Sequence, residues 1–454
     1  MRCFNSRLIL VSVLVLLGST GCNIKGSSSN HDPLNYHNLG LKELKAGNNE
    51  KAAVYFKRAA EENIREHGED HENVAVSYNN LGTAMTRKGD YDRAIMYLKK
   101  ALAIDRKRLG DKHKTIAIYY NNLGSAYARK KKFSQALLYL NRALVINLKH
   151  LGGKHIYVAS LYKNIAYIHY RKRDYKKAIT NLEISIDIDR AHYGEKHEKV
   201  AKKYHDLGLS WHKLRHLDKA LSYYKKALAI QLTTLGTDHV DVAQTYGNIG
   251  AIYIGKRKYN QAIDYYKKVL DIEIKAKGEN HIKLARRYSN MGLVYRRLRD
   301  YDRAAVYYEK ALAIEIKTYG EKHQRVAKRY GVLGITYHYQ KNYDKAIQYY
   351  KRSIALESKS NTRTKGRNMA RRYSNMGKAY RGKGEKTLAL ATFKKALQFR
   401  MKHYGKDHPS TKVTLKRISL LENKEAKATN TAKSTKVTNT AKATKSTKVT
   451  KPAK

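Results

Sequence analysis

The sequence predicts an all-α protein, an α-solenoid of about nine helix-turn-helix repeats closed by a C-terminal capping helix. Three ladders predict it. Small residues recur at a 42-residue step as Gly40, Gly82, Gly124, Ala166, Gly208, Gly250, Gly292 and Gly334, with Gly377 one residue late. Alanines keep the step at Ala52, Ala94, Ala136, Ala178, Ala220, Ala262, Ala304 and Ala346, with Ala389 again one late. Tyrosines keep it from Tyr36, Tyr78 and Tyr120 through to Tyr330, and then Tyr373. A fixed period of this length means stacked copies of one supersecondary unit, not a single compact core. Such stacks present long concave surfaces to other molecules.

One period shows the elements. From His71 to Gly110, the first half places Val74, Tyr78, Leu81, Gly82 and Met85 at helical spacing, so one stripe faces inward. The Gly89-Asp90 pair breaks that helix, and Asp90 is placed to cap the next. In the second half, Ala94, Tyr97, Leu98, Ala101 and Ile104 recur at three- and four-residue steps, and Gly110 is a C-terminal stop. Gly82 and Ala94 mark where two helices approach closely, and Ala101 lets the next unit pack in.

These residues resemble the tetratricopeptide repeat, with Leu81-Gly82, Tyr91-Asp92-Arg93-Ala94 and Ala101 carrying the likeness. The period and a G-x-x-H loop, as in Gly110 to His113, Gly194 to His197 and Gly320 to His323, are similar to the longer repeats of kinesin light chains. The resemblance spans residues 34–421. It implies a right-handed solenoid that binds proteins or peptides, and says much more about fold than about function.

The ends of the array are read next. The first copy, from about Leu34, lacks the opening loop, as a terminal cap should. After Gly405 to His408 comes a half-unit. Val413, Leu415, Ile418 and Leu421 are expected to bury one face, with Lys412, Lys416, Arg417 and Glu422 on the wet face. The junction from Ser358 to Asn368 has lost G-x-x-H and gained one residue, and reads as a flexible or basic loop, a candidate hinge. Residues 422–454 are rich in Lys, Thr and Ala and too poor in apolar groups to fold. They read either as a solvated tail or as a cationic tether.

At the amino terminus, Arg2 and Arg7 precede an apolar run from Leu8 to Leu17. It is short for a membrane span and reads as the core of a signal peptide over residues 1–21. Thr20-Gly21-Cys22 resembles the end of a bacterial lipobox, although Ser19 stands where Leu is commonest. The resemblance implies a diacylglyceryl group on Cys22 and a flexible leash over 22–33. With Cys3 removed, Cys22 is the lone cysteine, so no intramolecular disulfide can form. Asn23 is not the Asp of an inner-membrane retention signal. The expected location is therefore the bacterial cell envelope, lipid-anchored, with the outer membrane favoured over the inner.

The net charge is +55, from 93 basic and 38 acidic residues, and such a field concentrates anions. In tetratricopeptide arrays the first helix of each unit lines the concave groove, so groove positions can be counted from the marker glycine. Two residues before it stand Asn38, Asn80, Asn122, Asn164, Asn248, Asn290 and Asn375. Carboxamides donate and accept, so a ladder of them can hold a peptide backbone; the alternative is a consensus residue that stabilises the helix pair. Five residues after the glycine stand Lys45, Arg87, Arg129, Arg171, Lys213 and Arg297. Six before it stand Lys202, Arg286, Lys328 and Arg371. Together they predict a basic groove for an acidic peptide or protein segment. The alternative is an adhesin-like binder of anionic glycan or lipid through the cationic surface and tail. Nucleic acid fits only if the signal-peptide reading fails.

Other signals are set aside. His71, His113, His155, His197, His239, His281 and His323 recur once per unit, roughly 10 Å or more apart by helix diameters, too far to share a metal. Most of the 38 tyrosines, such as Tyr224, Tyr266, Tyr308 and Tyr350, fall on packing positions, as does Trp211. No nucleophile elbow, phosphate loop or H-E-x-x-H motif is present. No metal, cofactor or enzymatic activity is expected.

Overall fold

The structure, a computed structural model, describes residues 32–360, 362 and 364–423. The expected signal peptide, Cys22 and the cationic tail beyond 423 lie outside the described residues. The chain divides into two compact units, residues 1–256 and 257–454. Among the described residues all regular structure is helical, and no helix is long and apolar enough to cross a membrane.

The first unit stacks helix hairpins. These are α1 (Pro33–Ala46) with α2 (Asn49–His67), α3 (Glu72–Lys88) with α4 (Tyr91–Leu109), α5 (Lys114–Arg129) with α6 (Phe133–Leu151), α7 (Ile156–Arg171) with α8 (Tyr175–Tyr193), and α9 (Glu198–Lys213) with α10 (Leu217–Leu235). Helix α11 (Val240–Gly255) packs on α10. The second unit opens with α12 (Tyr259–Lys277). Three hairpins follow: α13 (Ile282–Arg297) with α14 (Tyr301–Tyr319), α15 (Gln324–Tyr339) with α16 (Tyr343–Ser358), and α17 (Lys365–Lys383) with α18 (Lys386–Tyr404). A last helix, α19 (409–423), closes it. Within each unit every helix packs on the next, and α3–α5, α5–α7, α9–α11 and α15–α17 also touch. This is the helix-pair packing of a tetratricopeptide α-solenoid.

The marker glycine sets the spacing inside each hairpin. A Cβ on Gly82 would lie 2.6 Å from Leu98, and one on Gly334 2.7 Å from the Tyr350 ring. The residue met is always sixteen further on, as in Gly124 with Leu140, Gly208 with Tyr224 and Gly377 with Phe393. The expected packing tyrosines Tyr224, Tyr266, Tyr308 and Tyr350 are buried.

The recurrent histidines cap first helices. His Nδ1 accepts from the backbone N–H two residues on, from His71 (3.2 Å, Asn73) to His323 (3.1 Å, Arg325) and His408 (3.2 Å, Ser410). Each second helix in several hairpins has an Asx cap, Asp90 accepting from Arg93 and Asp300 from Arg303. The turn between the two helices needs a left-handed residue. Gly47, Gly89 and Gly384 supply it, yet Lys131, Arg173, Arg215, Arg257, Arg299 and Lys341 adopt φ of 59–67° at the equivalent turns. A side chain there costs about 1–2 kcal/mol.

Junctions between hairpins share one device that the sequence reading missed. At most junctions a residue late in the second helix reaches one in the next first helix, fourteen positions on, or fifteen at the last of them. The pairs are Asn63 with Ser77 (3.1 Å), Asp105 with Tyr119 (2.6 Å), Asp189 with Lys203 (2.6 Å) and Gln231 with Thr245 (2.7 Å). In the second unit they are Glu273 with Arg287 (2.8 Å), Glu315 with Arg329 (2.9 Å) and Glu357 with Arg372 (3.2 Å). The junction before α7 lacks such a pair, because Leu161 takes the position and is buried. Most of these polar groups are almost fully buried. Burial, opposed by Asp189, pushes the Lys203 ammonium down to about 8. Burial, with Asp105 beside it, raises the Tyr119 phenol well above its ordinary range.

Three expectations are corrected. The buried face of α19 is Thr411, Thr414, Ile418 and Leu421, while Val413 and Leu415 are exposed. The 411–414–418–421 spacing follows the helical period, and Val413 and Leu415 fall either side of it. The loop expected from Ser358 to Asn368 is helical from Lys365 onward. α16 has 16 residues where most other second helices have 19, and α17 has 19 where most first helices have 16, so about one turn has passed from one helix to the next. Trp211 is half-buried, not core, with the Lys219 ammonium 4.4 Å from its ring centroid.

Two outcomes test this packing. Gly334→Ala should gain roughly 0.5–1 kcal/mol of helix propensity but lose about 1–3 kcal/mol to overpacking against Tyr350. The melting temperature should therefore fall; a rise would mean that this contact does not set the hairpin spacing. Arg287→Met, which strands the buried Glu273 carboxylate, should cost about 3–5 kcal/mol in denaturant unfolding, and adding Glu273→Leu should recover most of it. Equal stability of the single and double variants would rule out a buried ion pair.

Candidate functional site

The positions six before and five after a marker glycine are eleven residues apart. Eleven residues make just over three helical turns, so both project from one face of a first helix. In the second unit this face is open and cationic. Arg286 and Arg297 on α13, Lys328 on α15 and Arg371 on α17 are exposed, and none of the four makes an ion pair among the described residues. The neighbour in sequence of three of them behaves oppositely. Arg287, Arg329 and Arg372 turn inward to Glu273, Glu315 and Glu357. Each basic doublet thus has one locked cation and one free cation. The carboxylate fourteen or fifteen residues upstream was the signal that could have identified the locked one.

The first unit engages three of its expected groove cations, Arg87, Arg171 and Lys202. Arg87 donates to the Leu44 carbonyl at 3.1 Å, near the C-terminal end of α1. Arg171 lies 5.5 Å from the centroids of both Phe133 and Tyr167 and donates to the Tyr167 hydroxyl. Lys202 pairs with Glu198, one helical turn earlier. Arg129 and Lys213 are half-buried, and Lys45 is exposed near the end of α1.

The asparagines separate from the cations. Asn80, Asn122 and Asn164 are 0–1 % exposed. Asn122 Nδ2 donates to Asn79 Oδ1 at 2.9 Å, and Asn164 Nδ2 to Asn121 Oδ1 at 3.0 Å. Asn248 Nδ2 lies 2.8 Å from His205 Nε2. These contacts clip one first helix to the next. Asn122, Asn164 and Asn248 therefore tie one first helix to the next, and Asn80, Asn122 and Asn164 are buried rather than part of the open, ligand-facing ladder expected. Asn38 is exposed, and Asn290 and Asn375 are half-buried.

Among the described residues no three His, Cys, Asp or Glu side chains converge as a metal site would require. The arrangement offers charge recognition along helix faces: guanidinium forks and ammonium groups that can take up carboxylates.

Comparison with known proteins agrees with this architecture. The tetratricopeptide repeat model matches residues 33–107, 84–147, 157–233, 199–275, 241–315 and 283–357, and a second model of the same repeat matches 369–410. Among curated proteins no sequence match was found. Of solved structures, the apo form of RapI is similar over 82% of this chain and 98% of its own, at 16% identity and a TM-score of 0.58. The apo form of the quorum sensor NprR from B. thuringiensis covers 81% of this chain and 98% of its own, at 18% identity and 0.51. A putative kinesin light chain from Podosopora anserina, with nearly identical repeats, covers 46% and 98%, at 19% identity and 0.42. The likenesses to RapI and NprR show the fold. Repeats of this kind are typically non-catalytic scaffolds suited to protein–protein interaction. With the signature matched over most of its length, the chain belongs to the tetratricopeptide repeat family.

Proposed function

We propose that this protein is a non-enzymatic scaffold, lipid-anchored in the bacterial cell envelope through Cys22, that holds an acidic peptide or protein segment against its cationic first-helix faces. One observation supports the acidic ligand above all. Arg286, Arg297, Lys328 and Arg371 stay exposed and unpaired although Glu273, Glu315 and Glu357 lie one hairpin layer away. Those carboxylates are committed to the inner arginines, so the outer cations have no ion-pair partner among the described residues. The binding reading rests on these cations and not on the asparagines. The second unit is accordingly the main ligand-holding part. The envelope location rests on the amino-terminal sequence.

Charge reversal tests the ligand class. With Arg286, Arg297 and Lys328 all changed to Glu, affinity for an Asp/Glu-rich peptide, read by fluorescence anisotropy, should fall at least tenfold. Affinity of the native protein should fall steeply with added salt. Unchanged binding in the triple variant would remove the second unit from the ligand's path. Location has its own test. Cys22→Ser should move the protein from the membrane to the soluble fraction and abolish incorporation of labelled fatty acid; retention at the membrane would overturn the anchor.

A further inference from the structure

The last junction departs from the three before it. At three successive junctions the late position of the second helix is a carboxylate: Glu273, Glu315 and Glu357. One repeat later the same position is Arg400. Its guanidinium donates to the Ser410 carbonyl and the Thr414 hydroxyl of α19, so it spans the junction as the glutamates do but brings the opposite charge. Beside it lies a cavity of about 430 Å³, lined by Arg367, Asn368 and Arg371 from α17, Arg400 and Tyr404 from α18, and Ser410 from α19, among others.

Three arginines therefore converge on one hollow, and its lining holds no carboxylate. Glu357 accepts from Asn368 at 2.8 Å but is fully buried and bound to Arg372. Arg367 and Arg371 stand one turn apart on α17 and are both exposed, a like-charge pair that is itself unfavourable. Burial and the neighbouring Arg417 further disfavour the Arg400 cation. Thr364, which starts α17 at the preceding junction, the one that gained a residue and lost its histidine, makes no side-chain capping bond and also lines the cavity. The fold has assembled positive charge here without the internal anion that the preceding junctions contain.

We propose that this cavity binds a phosphate monoester, whose dianion stands in for the carboxylate missing from this junction. Guanidinium forks match phosphate oxygens in bidentate fashion, and a monoester carries about two charges at neutral pH. The volume falls within the roughly 300–1,000 Å³ of small-molecule sites, which leaves room for an organic part beside Tyr404 and Asn368. The site is distinct from the acidic-segment surface. Arg371 belongs to both, whereas Arg367 and Arg400 belong to this one alone.

The test titrates the full chain with inorganic phosphate and with glycerol phosphate at constant ionic strength, by calorimetry. One saturable site is expected, with glycerol phosphate the tighter ligand. Arg367→Gln and Arg371→Gln should each weaken it at least tenfold while helical circular dichroism is unchanged, and Lys42→Gln, an exposed distant control, should leave it intact. Absence of saturation, equal weakening by Lys42→Gln, or full binding in Arg367→Gln would overturn the site. Glycerol phosphate binding no tighter than inorganic phosphate would overturn the ester. Because Arg367 lies outside the acidic-peptide surface, loss of phosphate binding in Arg367→Gln with peptide binding retained keeps the two readings apart.

Discussion

The polar contact across most hairpin junctions is the constraint on which much of this structure depends. A helix hairpin of this size cannot bury its own apolar faces, so its stability comes from its neighbours. Alanine-rich packing would accept a neighbouring hairpin in more than one register. A buried Glu273–Arg287 or Asp105–Tyr119 contact would not, since a slip leaves a polar group unsatisfied in a low dielectric. The glycine contacts fix the distance within a hairpin, and the junction contacts fix the alignment between hairpins.

That division of labour also explains the surface. Once the inner arginine of each doublet is committed to a glutamate, the outer one has no ion-pair partner among the described residues. The exposed cations of α13, α15 and α17 are thus a by-product of how the junctions are locked in the second unit. In the first unit the junctions use Asn, Asp, Gln, Ser, Tyr, Lys and Thr instead. There Arg87 bonds a carbonyl, Arg171 two rings and Lys202 a neighbouring glutamate. The two units share a backbone plan but differ in how much charge they leave available.

Much of the fold was legible because its determinants are local and periodic. Gly82, Ala94, Asp90 and Gly110 act through sterics and capping within a few residues or one hairpin, and the period repeats the evidence. The candidate site was less legible. Asn122 and Arg286 occupy comparable ladder positions, yet one is closed between helices and the other is open, and only the packing of the next hairpin decides which. Val413 and Leu415 misled for a related reason. A terminal helix of mixed composition offers two stripes, and the one buried, through Thr411 and Thr414, is the less apolar at that end. The six Lys and Arg residues in left-handed turns show the converse. Gly89 marks its turn plainly, but the same turn persists at Arg173 and Arg299, where no glycine announces it.

The junction pairs bear on how the array can change length. Tandem repeats are prone to gain or lose whole periods through unequal recombination. Losing one 42-residue period after Glu273 would bring it against Arg329, and the ion pair would re-form with its chemistry unchanged. Losing one after Asp189 would set it against Thr245, leaving a buried carboxylate without its lysine. The second unit is therefore open to silent contraction or expansion, whereas the first is held to its present number of repeats by the mismatch any exchange would expose.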